Sequence, residues 1–148
     1  MASRKFKFGP QPALDKAIAQ QKKCEEALVA ARRALEEEKQ KLQRILEQIE
    51  KTRQRIRQEH DNLASPQRRT SDPKELTQTS QFIDALRLKE QQQLEAADKQ
   101  REQIAFAQDR VELRKKELAE ALAHVQALEK ADEKKRDDEA IQLWNNRE

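Results

Sequence analysis

Ala64-Ser65-Pro66-Gln67-Arg68-Arg69-Thr70-Ser71-Asp72-Pro73 is the one interruption between two long, highly charged segments rich in Leu and Ala. A proline has no N–H to donate and disfavours helix in the residue before it, so Ser65 and Asp72 are both pushed towards extended backbone. The chain can reverse here and lay its second half along its first. On the far side Asp72 can cap a helix with Pro73 in its first position, and Glu75 three residues on completes a capping-box pattern. Thr77, Thr79 and Ser80 then lower helix propensity, which predicts a short capped turn of helix before the main second helix starts near Thr79.

Working outwards, the first segment carries a seven-residue ladder, Leu14, Gln21, Leu28, Leu35, Leu42, Ile49, Ile56 and Leu63. Such a period is the mark of a coiled-coil seam. Three residues further on stands a weaker row, Ala17, Cys24, Ala31, Glu38, Ile45, Thr52 and Glu59. The second segment repeats the pattern with Ile83, Glu90, Ala97, Ile104, Val111, Leu118 and Val125, flanked by Leu86, Ala107, Ala121 and Leu128. The expected fold is all-α, a long antiparallel two-helix coiled-coil hairpin. Its parts are a basic tail over 1–11, a first helix over 12–64, a turn with a short capped helix over 65–78, and a second helix over 79–148. If 64 faces 79 across the turn, facing residue numbers sum to about 143, which leaves the C-terminal residues as an overhang.

Composition agrees. Charged residues make up 40% of the 148 and aromatic residues 3%, with a single Gly and no Tyr, which leaves too little apolar surface for a thick core. The 31 basic and 28 acidic residues nearly cancel to +3, which argues against nucleic acid as the main partner. One cysteine, Cys24, cannot form an internal disulfide and fits a reducing compartment. No apolar run reaches the roughly 20 residues of a membrane span. The N-terminus lacks the apolar stretch of a secretory signal, so the chain reads as cytoplasmic.

No catalytic constellation emerges, and no enzyme activity, cofactor, metal or small-molecule substrate is expected. His60 and His124 stand alone, Cys24 lies on the weak seam row as a buried thiol, and Gly9 cannot form a phosphate loop by itself. Residues 51–69 gather Lys51, Arg53, Arg55, Arg57, Arg68 and Arg69 against Glu59 and Asp61, a local +4 that reads either as solubility or as a docking tip for an acidic surface. Phe82 and Leu86 are i,i+4 neighbours, and Ile141 and Trp144 are apolar residues within the charged C-terminal segment. Either pair can plug an end of the hairpin or meet a partner.

Several stretches resemble the FliJ-like flagellar export proteins, the FliJ/YscO-type stalk components of type III export ATPase complexes. They are Lys5-Phe6-Lys7-Phe8 followed by Gln11 and Leu14-Asp15, then Gln81-Phe82-Ile83-Asp84-Ala85-Leu86 before Gln91-Gln92-Gln93, and Asp132-Glu133-Lys134-Lys135-Arg136-Asp137-Asp138. The resemblance implies a two-helix coiled coil similar to the central stalk of rotary ATP synthases. Its open end would enter a hexameric export ATPase, while its hairpin side would contact the cytoplasmic domain of an export-gate membrane protein and handle export chaperones. The chain would then be peripherally associated with the inner-membrane export apparatus. Carried over, the gate contact falls on Phe82, Leu86, Lys89 and Gln93, and the ATPase-ring contact on Phe6, Phe8, Asp132, Lys134, Lys135, Arg136, Ile141 and Trp144. The basic tip is Arg53, Arg55, Arg57, Arg68 and Arg69. A generic coiled-coil scaffold or adaptor, and a nucleic-acid-binding helical hairpin, stand as alternatives at this point.

Overall fold

A computed structural model describes residues 10–65 and 72–147. The protein is an all-α hairpin of two long helices, α1 (Pro10–Ala64) and α2 (Pro73–Arg147), with no strand among the described residues. No helix among them is long and apolar enough to cross a membrane.

Both helix starts differ from the expected ones. Helix α1 begins at Pro10 rather than at Pro12, so two prolines sit in its first turn, where their missing N–H groups have no intrahelical acceptor to satisfy. Helix α2 runs from Pro73 without the expected break before Thr79. The physical reason lies in the two threonines. The Thr77 hydroxyl donates to the Pro73 carbonyl at 2.9 Å and the Thr79 hydroxyl to the Glu75 carbonyl at 3.0 Å, so both satisfy their polar groups inside the helix. Asp72 caps the start as expected, with Oδ1 accepting from the Lys74 N–H at 3.1 Å and its carbonyl accepting from Glu75 N–H at 2.9 Å. Asp72→Ala is expected to lower stability by about 1 kcal/mol in a urea titration, and Asp72→Asn by less than half of that.

The chain forms two compact units, one over residues 34–108 and one joining 1–33 with 109–148. In the 34–108 unit Leu35, Ile49, Ile83 and Ala97 are buried along the seam. Cross-helix contacts pair 52 with 93, 53 with 90, 60 with 87 and 38 with 100, which straddle the antiparallel register of about 143 expected from the turn. In the other unit Ala17, Cys24, Leu28, Ala31, Val111 and Val125 are buried.

The row that looked weak in sequence is covered to much the same extent as the aliphatic one. Ala17, Cys24, Ala31 and Thr52 of that row are buried, as are Leu28, Leu35 and Ile49 of the aliphatic row, while Leu14, Leu42, Ile56 and Leu63 are half-buried. Two helices enclose only a narrow gap, so small side chains disappear into it as fully as the best-placed large ones, and the other large ones reach past it to solvent.

Two polar pairs interrupt the seam of the 34–108 unit. The Thr52 hydroxyl lies 2.9 Å from Gln93 Oε1 and 3.0 Å from the Gln48 carbonyl. Gln100 Nε2 donates to the Glu38 carbonyl at 2.8 Å and to the Glu38 carboxylate as well. The Gln100 hydrogen bond, then the one from the Lys41 ammonium, hold the Glu38 carboxyl below its ordinary value of 4.5. Because its folded-state pKa is depressed, the stabilisation is complete above about 4.5 and is lost as pH falls through the lower folded value. Urea midpoints measured down the acid limb are expected to fall more steeply for the native chain than for Glu38→Gln.

Candidate functional site

The proposed gate-contact residues all lie on α2 in the 34–108 unit, at spacings of four, three and four, which keeps them on one helix face. Ile83, beside them, is buried in the seam and fixes that face relative to α1. Phe82 is 43% exposed, Leu86 and Gln93 are half-buried, and Lys89 is exposed. Phe82 and the Lys89–Gln93 pair line two separate grooves. Phe82 borders a groove of about 430 Å³ with Arg55, Glu59, Glu75, Gln78 and Thr79. Lys89 and Gln93 border a second one, of about 310 Å³, with Gln48, Lys51 and Thr52. Gln93 therefore has a structural task as well, since it meets the Thr52 hydroxyl in the seam.

The C-terminal residues of α2 present a different surface. Asp132 is half-buried and pairs with Arg136 at 3.1 Å, one helical turn on. Lys134 and Lys135 are exposed. Ile141 is 58% and Trp144 65% exposed, with Leu143 beside them also exposed. Three large apolar side chains on the last turns of a helix, uncovered by the rest of their unit, are an arrangement suited to burial against another molecule. Phe6 and Phe8, assigned to the same contact, lie outside the described residues.

At the basic tip, the structure pairs three arginines with carboxylates, two of which, Glu50 and Glu90, the local charge count left out. Arg53 pairs with Glu90 of α2 at 3.3 Å, Arg55 with Glu59 at 3.3 Å, and Arg57 with Glu50 at 3.0 Å. Glu90 lies 37 residues from Arg53, and Glu50 falls just before the window that was counted. Each of these three arginines therefore has a carboxylate partner while its own side chain stays about half exposed or more. Arg68 and Arg69 lie outside the described residues.

His60 Nε2 lies 2.9 Å from the Arg87 guanidinium, which can only donate, so the imidazole nitrogen accepts. Cys24 is buried, with Gln20 Nε2 3.8 Å from its sulfur. Among the described residues no three His, Cys, Asp or Glu side chains gather in a way that could hold a metal ion.

Two features escaped the sequence reading. Arg55 stands over the Phe82 ring, 5.6 Å from its centroid, and Glu59 of the weaker seam row, largely covered, holds Arg55 there at 3.3 Å. The i,i+4 spacing of Arg55 and Glu59 was a legible signal for their pair, but their meeting with Phe82 depends on the packing of α2 against α1.

No curated protein and no solved structure matches the chain. The model of one protein family does, described as YscO-like protein, and the match runs over residues 11–147. Spanning nearly all of both helices, that match shows that the chain belongs to the YscO-like protein family.

Proposed function

We propose that this protein is the central stalk, or coupling component, of a flagellar or type III protein-export ATPase complex. The observation that carries the reading is membership of the YscO-like family across residues 11–147, which associates the chain with type III export. The exposed Ile141, Leu143 and Trp144 on a charged helical segment, and the exposed Phe82 on another, are consistent with a protein that works through contacts. In this reading the C-terminal part of α2, with Asp132, Lys134, Lys135, Arg136, Ile141 and Trp144, is gripped by a hexameric ATPase. The face bearing Phe82, Leu86, Lys89 and Gln93 meets the cytoplasmic domain of the export-gate membrane protein, and export chaperones dock on the same hairpin.

The protein performs no chemistry of its own here. A single asymmetric shaft inside a symmetric ring gives every ring subunit a different interface, and so biases which subunit binds, hydrolyses or releases nucleotide. ATP hydrolysis by the cognate export ATPase is expected to rise severalfold on adding the full chain, and the rise is expected to vanish when residues 131–148 are removed. An ATPase indifferent to the full-length protein would sink the proposal.

A further inference from the structure

The Phe82 ring is not left to itself. Glu59 lies in the weaker seam row of α1 and its side chain is only 12% exposed, which restricts the positions its carboxylate can take. Four residues earlier Arg55 reaches that carboxylate at 3.3 Å while its guanidinium lies 5.6 Å from the centre of the Phe82 ring. Arg55 is itself 56% exposed and, without the carboxylate, would sample many rotamers in water. The order is therefore from the seam outwards: a restricted carboxylate, a guanidinium held by it, and a half-exposed ring beneath the guanidinium. A planar cation over an aromatic face is an attractive arrangement that limits where the ring can sit.

We infer that Arg55, anchored by Glu59, is a positioning residue that pre-sets the Phe82 ring for contact with a partner. The inference rests on the reading of Phe82 as a gate contact for its consequence in binding, and on the Glu59–Arg55–Phe82 geometry for the positioning itself. Ordering the ring before the encounter removes a cost that an unrestrained side chain would meet on binding. Arg55→Lys keeps a cation but loses the planar fork that can meet ring and carboxylate together. Glu59→Gln keeps the size of the anchor and removes its charge.

The test uses the full chain with arginine and phenylalanine isotopically labelled. Arg55 side-chain protons over the ring face are expected to resonate upfield through the ring current, and this displacement is expected to collapse in Phe82→Leu and in Glu59→Gln. In parallel, affinity for the purified cytoplasmic domain of the export gate is expected to fall about two- to fivefold in Glu59→Gln and further in Phe82→Ala. Glu59→Gln is expected to cost nothing more once Phe82 is alanine, and Arg55→Lys to recover part of what Arg55→Ala loses. An Arg55 spectrum without upfield displacement, one that Glu59→Gln leaves unmoved, or losses that multiply in the double variant would each overturn the positioning role. If the displacement behaves as stated but Phe82→Ala binds the gate domain like the native chain, the positioning stands and the gate contact is what fails.

Discussion

Ala97→Asp is expected to unfold the 34–108 unit, lowering stability by about 3–5 kcal/mol in a chemical melt followed by circular dichroism. Ala97 is completely buried, with 0% exposure, at a seam position where the facing helix comes close enough to cover a methyl group on every side. An aspartate there would bring a carboxylate into a fully covered space. The helices would have to part locally or the carboxyl take up a proton, and either outcome is costly. Ala97→Leu separates the two contributions, because it adds volume without charge. It is expected to cost about 1–3 kcal/mol from overpacking, less than the aspartate. A melt of Ala97→Asp indistinguishable from that of the native chain would mean that the helices do not meet at this position.

The second large effect is expected at Ile49 and Ile83, each buried to 3% exposure and each the strongest apolar anchor of its stretch of seam. Truncation of either to alanine is expected to cost about 2–4 kcal/mol, the transfer of the lost methyl groups plus the cavity they leave. In the antiparallel register Ile83 sits level with about residue 60, some 16 Å along the axis from Ile49, so the two cavities share no partners. The double variant is therefore expected to show the sum of the two losses to within about 0.5 kcal/mol. A double loss well short of that sum would indicate that the two positions open together.

Much of the fold was legible because a coiled coil is written in a local, periodic code. The Leu14-to-Leu63 ladder and the Ile83-to-Val125 ladder announce two helices and their facing sides, and Pro66 and Pro73 announce where the first ends and the second begins. What was misread followed from reading propensity residue by residue. Thr77 and Thr79 looked like an interruption, yet their hydroxyls return to carbonyls four residues back and the helix runs through. Propensities report an isolated average, whereas a helix already capped by Asp72 meets most of its nucleation cost before it reaches Thr77.

The candidate site was legible in the same uneven way. Spacing paired Phe82 with Leu86 one turn apart, Lys89 and Gln93 came only from the family resemblance, and Phe82, Ile141 and Trp144 are all exposed. Summing charges along residues 51–69 could not reveal that Glu90, arriving from α2, answers Arg53.

The sequence by itself determined that this protein is two long helices folded back at residues 64–73 and joined by a thin seam. A seven-residue period and two prolines act through backbone geometry, which is local in the chain. Only the tertiary structure decided which seam residues are truly covered and which carboxylate answers Arg53. It alone set Arg55 over the Phe82 ring. Each of these depends on the width of the gap between α1 and α2 and on the exact partners across it, set by side chains tens of residues apart that no local pattern brings together.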